Sequence, residues 1–327
     1  MKQLRAFLDP FLVLLILTVV LASLLPARGA GVPIAQGATD IAIVLLFFLH
    51  GAKLSRAAVL SGAKAWKLHF ATLGTTFLAF PLIGLAMQGL GVLSPELRAG
   101  LLFLTLLPST VQSSIAFTAI ARGNVAAAVV SASFSNLLGM VLTPLLAALL
   151  MHVANSEGGS IVSLSSIEGI VLQLMLPFLV GHLLRPWIGG FVDRNKGWLG
   201  KVDRGSILLV VYTAFSAAVV EGLWHSVSRL ELAVLIGLSL LILAAVLAFT
   251  WALGRLLGLS RGDAIVLQFC GSKKSLATGV PIAGVLFPAA IVGPILLPVM
   301  IFHQIQLMAC ALLARHYGAQ AQGDAPA

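Results

Sequence analysis

Apolar residues run almost unbroken down this chain in stretches such as Phe11 to Leu25 and Leu232 to Leu253, separated by short polar or basic segments. A helix needs roughly 20 such residues to cross about 30 Å of hydrocarbon. Ten runs suit that length, at 9–26, 34–51, 66–90, 96–121, 125–152, 164–185, 204–222, 229–257, 262–287 and 291–316. Five lie on each side of the polar, Gly/Ser-containing stretch Asn155 to Ser160. An odd number of spans per half forces the halves into opposite orientations. The pattern therefore predicts an all-α polytopic membrane protein of ten transmembrane helices in two inverted five-helix repeats, 1–157 and 158–327. In that architecture discontinuous helices at matching positions build a transport site at the membrane midplane.

The fourth and ninth runs are the matching pair, and both are interrupted. The fourth reads Leu106-Leu107-Pro108-Ser109-Thr110-Val111-Gln112-Ser113-Ser114, and the ninth reads Gln268-Phe269-Cys270-Gly271-Ser272-Lys273-Lys274-Ser275. Pro108 removes a backbone donor and Gly271 loosens the helix, while hydroxyls satisfy the freed backbone groups or a solute. Breaks are expected at Pro108 to Gln112 and Gly271 to Lys274. The candidate substrate-binding set is Thr110, Gln112, Ser113 and Ser114 in the fourth run, and Gln268, Ser272, Lys273, Lys274 and Ser275 in the ninth. Ser131 and Ser135 share a face of the fifth run and join the set, as do His303 and Gln304 in the tenth. His50 and the Lys67-Leu68-His69 stretch lie near membrane ends, where a solvated role is expected.

Composition agrees with this pattern. At 59% hydrophobic and 9% charged the chain is no ordinary soluble domain. Ten spans of roughly 20 residues use about 200 positions, leaving tails and short loops. The net charge of +9 is spread over loops rather than gathered on one arm or face, which argues against nucleic acid as a partner. It reports topology instead. With the N-terminus inside, fifteen of the 20 Lys and Arg fall on the cytoplasmic side, and Arg28, Arg98 and Arg229 on the other, so both termini are expected in the cytoplasm. Lys2 and Arg5 precede the first apolar run without a convincing cleavage site, so that run is read as a span. Cys270 and Cys310 fall in apolar segments and match no metal spacing.

The remaining two basic residues, Lys273 and Lys274, lie in mid-span, whereas Asp40, Glu96, Glu168, Glu221, Glu231 and Asp263 all fall near proposed ends. An ionised lysine at that depth costs roughly 2.5–3.5 kcal/mol even on a lenient insertion scale, so it must face a wet cavity or find a partner. The N-termini of the second half-helices add partial positive charge and free N–H donors to the same place. Such a site prefers an anion.

Several motifs together resemble the bile acid:sodium symporter superfamily, solute carrier family 10, and in particular its seventh-member branch and the bacterial proteins similar to it. They are Phe48-Leu49-His50-Gly51 with Leu54-Ser55, Lys67-Leu68-His69, Ser113-Ser114 with Gly123-Asn124, and Gly139 with Leu142-Thr143-Pro144-Leu145-Leu146. In the second half they are Cys270-Gly271-Ser272-Lys273-Lys274-Ser275-Leu276, Gly279-Val280-Pro281 and His303-Gln304. The resemblance implies a core domain of spans 3–5 and 8–10, a panel domain of spans 1, 2, 6 and 7, and crossing of the broken spans 4 and 9. It also implies sodium ligands at positions this chain has altered. Ser114 matches, but Ile115 stands for an Asn, Ala128 and Ala132 for hydroxyl residues, and Gln268 and Ser272 for a Glu and a Gln. The sodium sites are thus degenerate, no metal site is expected, and sodium or proton coupling stays open. Between the lysines, the branch's Lys-Ser-Leu motif favours Lys274.

The function expected is secondary active transport of a small organic anion by alternating access, in a bilayer and without a cofactor. Multi-pass insertion in a bacterial inner membrane follows, with the oligomeric state open. A second reading, implied by the seventh-member branch, is a membrane regulator of calcium homeostasis with little transport of its own. An enzyme has scant support, because the chain holds no His-Glu-x-x-His, no Gly-x-Ser-x-Gly and no in-span carboxylate pair.

Overall fold

The computed structural model describes residues 10–53, 65–89, 91–151 and 170–323, and all regular structure among them is helical. Helix α1 is Pro10–Leu24 and α2 is Gly31–Lys53. Helix α3, Trp66–Ala86, contains a π-helical turn at Thr75–Ala79. The fourth run is divided into α4 (Pro95–Leu106) and α5 (Gln112–Ile120). Helix α6 (Val125–Leu146) continues as a π-helical turn, Ala147–Met151. Helix α7 (Leu176–Arg194) is entered through a π-helical turn at Ile170–Met175 and is followed by α8 (Lys196–Val220) and α9 (Arg229–Leu256). The ninth run is divided into α10 (Arg261–Gly271) and α11 (Leu276–Leu286), and α12 is Ala289–Gly323.

Among the described residues, seven helices are long and apolar enough to cross a bilayer, namely α2, α3, α6 to α9 and α12. Helix α1 and the four half-length pieces are shorter than a span requires. Two boundaries differ from the apolar runs. Helix α7 continues to Arg194 and α8 already starts at Lys196, so Arg194, Lys196, Lys201 and Arg204 stand on helix. Hydropathy marks only the part of a helix in hydrocarbon, while Lys and Arg are good helix formers that extend it into water. Asp40 lies nine residues into α2, because that helix begins at Gly31. Residues 155–160, the repeat boundary at 157/158, and the basic residues Lys2, Arg5, Arg56 and Lys64 lie outside the described residues.

The first pieces of the two broken runs start alike. Ser94 caps α4 by accepting from Leu97 N, with Pro95 at the first position and Glu96 in the first turn. Ser260 caps α10 by accepting from Asp263 N, with Asp263 itself in the first turn. In both, a hydroxyl satisfies an orphan donor and a carboxylate faces the positive helix end.

The chain divides into two compact units. The first comprises Met1–Ser55, Ala147–Ser228 and Gly279–Leu297. Within it α2 packs along α7 and α8, and α1 along α8. The α2–α7 contact needs glycine on both sides, since a Cβ at Gly51 would stand 2.0 Å from Phe178 O and one at Gly181 would stand 2.1 Å from Phe48 O. Small residues at such crossings let backbones approach where no hydrophobic effect drives helices together. Polar ties secure the same unit: Lys53 pairs with Asp203, Arg185 donates to Ala52 O, and the Thr39 and Thr213 hydroxyls lie 2.8 Å apart.

The second unit comprises Arg56–Leu146, Arg229–Thr278 and Pro298–Ala327, and so holds α3 to α6, α9, α10 and most of α12. Both helix breaks lie in it.

Candidate functional site

Residues 107–111 and 272–275 leave the helical path, and several of the freed backbone groups have identifiable partners. Leu107 is extended (φ −70°, ψ 152°). Thr143 Oγ1 donates to Leu106 O at 2.8 Å, Ser275 N donates to Pro108 O at 2.8 Å, and Ser109 N donates to Ser135 Oγ at 3.0 Å. The Ser275–Pro108 bond joins one break to the other. Ser114 Oγ adds a second link by donating to Phe269 O at 3.0 Å. The Pro108 ring fits because α6 has glycine opposite it: a Cβ at Gly139 would stand 2.4 Å from Pro108 Cβ. In a bilayer, irregular backbone persists only when buried in protein or lining a cavity, and residues 101–110 and 271–276 are all buried.

The two lysines are both fully buried, yet their surroundings differ. Lys274 Nζ donates to Thr76 O at 2.8 Å, Thr105 O at 2.7 Å and Leu107 O at 2.7 Å, and sits 4.0 Å from the centroid of Phe80. Its three hydrogens are therefore all used. Two of those carbonyls lie at the C-terminal end of α4, the negative end of its dipole, and the third lies in the π-helical turn of α3. One ammonium thus satisfies the ends of two irregular segments. Gln306 holds the same lysine's backbone, accepting from Lys274 N and donating to Lys274 O, both at 2.8 Å.

Lys273 Nζ has no hydrogen-bond partner. It lies 4.1 Å from the centroid of Phe117 and 5.3 Å from that of Phe269. Ring faces are worth up to about 2 kcal/mol to a desolvated cation. Removing an ammonium from water costs several kcal/mol. The rings alone leave that cost partly uncompensated, and the amine has no hydrogen-bond acceptor among the described residues.

The other expected residues fall into place as follows. Thr110 Oγ1 lies 2.7 Å from Ser113 Oγ and 3.0 Å from Ser114 Oγ, while Gln112 is exposed at the start of α5. Gln268 Nε2 donates to Leu247 O at 2.8 Å, and its Oε1 accepts from Tyr317 Oη at 3.3 Å. Ser272 Oγ donates back to Gln268 O at 2.5 Å, and Ser275 Oγ accepts from Thr278 N at 3.2 Å. Ser131 Oγ lies 2.8 Å from His69 Nδ1, which is buried rather than solvated at a membrane end. His303 Nδ1 is 2.9 Å from Gln306 Nε2, whereas Gln304 Oε1 is buried without a partner. Sequence reasoning missed Gln306, and also Thr76, Thr105 and Thr278, whose Oγ1 donates to Asn136 Oδ1 at 2.8 Å. Gln306 had one signal, a second amide three residues beyond His303 in an apolar helix.

Of the altered positions, Ala128 and Ala132 are fully buried in an apolar cluster with Leu68, Ala127, Val266, Leu267 and Cys270, and Ile115 packs against it. Among the described residues no group of three or more His, Cys, Asp or Glu is placed to hold a metal ion.

Comparison with known proteins matches residues 9–319 to the model of the SBF-like CPA transporter family. The chain is 54% identical over 329 residues to the uncharacterized Pseudomonas aeruginosa protein PA2026, covering 100% of this chain and 98% of that protein. It is 51% identical to the Escherichia coli protein YfeH, whose name proposes a symporter, covering 98% and 96%. It is 27% identical to sodium/bile acid cotransporter 7 of Danio rerio, covering 93% and 91%.

Proposed function

The chain belongs to the SBF-like CPA transporter family, and on that premise we propose that it is a secondary active transporter of a small organic anion, working by alternating access without a sodium requirement. The protein is a multi-pass membrane protein of a transporter family rather than an enzyme. In the proposed architecture α1 and the two broken runs complete ten spans in two inverted repeats, 1–157 and 158–327. Spans 3–5 and 8–10 would serve as a core domain and spans 1, 2, 6 and 7 as a panel domain. Both termini would face the cytoplasm, in a bacterial inner membrane.

The observation that carries this reading is the joined pair of helix breaks holding two buried lysines and no carboxylate ligand. Lys274 replaces a mobile cation by satisfying Thr76 O, Thr105 O and Leu107 O permanently. Lys273, with no acceptor of its own, supplies the charge that an anion pairs with. Hydroxyls of Thr110, Ser113 and Ser275, with Gln112, Asn136 and the N-termini of α5 and α11, provide the polar lining. The relatives' sodium coupling is not carried over, because Ile115, Ala128 and Ala132 leave the ligand positions apolar.

A thermal-shift screen of organic anions on the purified protein, run in sodium chloride and in choline chloride, tests this. Stabilisation by at least one organic anion, equal in both salts, is expected. No stabilising anion in either salt, or stabilisation confined to sodium, would count against it.

A further inference from the structure

A fully buried primary amine with no hydrogen-bond partner sits beside a second lysine whose three hydrogens are all bonded to backbone carbonyls. These neighbours share depth and chemistry and differ only in acceptors. For Lys274 the fold supplies three carbonyl oxygens, those of Thr76, Thr105 and Leu107. Lys273 has ring faces alone, Phe117 at 4.1 Å and Phe269 at 5.3 Å.

The groups facing that amine set what can change its charge. Helix α5 contributes Phe117 and contains no titratable residue from Gln112 to Ile120. From its own segment come Cys270 and the adjacent Lys274, and from α12 comes Cys310; both thiols are free and buried. Tyr317 reaches the cluster only through its contact with the Phe269 ring, 6.3 Å between centroids. None of these is a carboxylate, so no resident anion holds a proton on Lys273. An incoming organic anion would be the first acceptor able to do so.

We infer that Lys273 takes up a proton when an organic anion binds and releases it when the anion leaves, so that the transporter couples anion movement to a proton. The step is R–NH2 + H+ + A− giving R–NH3+ paired with A−. The proton comes from the aqueous side that delivers the anion and leaves to the side that receives it. For a monoanion no net charge crosses the membrane. Lys274 takes no part in the exchange, since the carbonyls of Thr76, Thr105 and Leu107 hold its hydrogens throughout. The single free charge also favours monoanions over dianions.

This inference rests on the transport reading above, and its test separates the two. Proteoliposomes holding the full-length protein are given radiolabelled acetate, cholate or succinate in sodium-free buffer, with external pH equal to the lumen or one unit below it. The expected result is protein-dependent uptake of a monocarboxylate, beyond what protein-free liposomes take up as the neutral acid, driven toward about tenfold accumulation by the one-unit gradient and unaffected by a potassium–valinomycin potential, with succinate poorly carried. Lys273→Arg carries a charge that cannot be removed and should lose the response to the gradient. Uptake that ignores the proton gradient, or that Lys273→Arg leaves gradient-driven, would overturn the inference while leaving the transport reading standing. Absence of uptake of all three would count against both. Should the arginine variant fail to fold, 15N spectra of lysine-labelled parent protein decide the matter. Two distinct buried lysine signals, one changing from amine to ammonium on anion addition, are expected, and two unchanging ammonium signals would refute it.

Discussion

Replacing Lys274 with methionine keeps most of the side chain's bulk while removing the ammonium, so the change isolates three hydrogen bonds from packing. It leaves Thr76 O, Thr105 O and Leu107 O without their donor in a buried segment. An unsatisfied buried polar group costs about 1–3 kcal/mol, so three cost about 3–9 kcal/mol. The variant no longer has to dehydrate an ammonium, which returns several kcal/mol. A net loss of about 3 kcal/mol is therefore expected, with a fall in apparent Tm of roughly 6–12 °C on the scaling of 150–250-residue domains. Lys273→Met is the matched control. It breaks no hydrogen bond, places an apolar side chain on two phenyl faces and relieves the burial of an unpartnered polar amine, so its Tm should equal or exceed the parent's. Unfolding of both variants in one detergent, followed by intrinsic fluorescence, gives the comparison. Equal destabilisation by the two substitutions, or none by Lys274→Met, would refute the division of roles between the lysines.

Gly139→Ala should lower stability by about 1–3 kcal/mol, because its Cβ would meet the rigid Pro108 ring at 2.4 Å; thermal unfolding checks it. Gln306→Leu strips partners from both Lys274 N and Lys274 O and should cost about 2–3 kcal/mol by the same measurement, while Gln304→Leu removes an unpartnered oxygen and should cost little. Ser94→Ala and Ser260→Ala each lose a helix cap, with an expected loss of about 1 kcal/mol apiece. Single-cysteine labelling from each side of the membrane should place position 28 opposite position 196, and labelling of both from one side would overturn the proposed topology.

How much of this was legible in the sequence depended on the kind of physics involved. Hydropathy located the helices well, because lipid imposes nearly the same length on every span. It misjudged the ends of α7 and α8, where polar helix continues past the apolar run. The breaks were legible as Pro108 and Gly271, yet the partners that make them tolerable were not. Thr143 and Gln306 are ordinary polar residues in apolar helices, and only the fold brings them to Leu106 O and Lys274. The Lys-Ser-Leu motif favoured Lys274 as the ligand-facing lysine, yet in the structure its hydrogens go to the backbone carbonyls of Thr76, Thr105 and Leu107, and a backbone oxygen has no signature in sequence. The positions that the family resemblance marks for sodium were the reverse case. Ile115, Ala128 and Ala132 were informative because apolar side chains cannot coordinate an ion, and the structure packs all three into or against one apolar cluster.

The most direct measurement is uptake of radiolabelled cholate and acetate by proteoliposomes in sodium-free buffer, comparing the parent with Lys273→Met. The predicted result is uptake by the parent of at least one of them, unchanged on adding sodium chloride, and loss of that uptake in a Lys273→Met protein that remains as stable as the parent. Uptake that appears only with sodium, or that survives Lys273→Met undiminished, would contradict the claim that Lys273 at the joined helix breaks pairs with the anion in place of a sodium-dependent site.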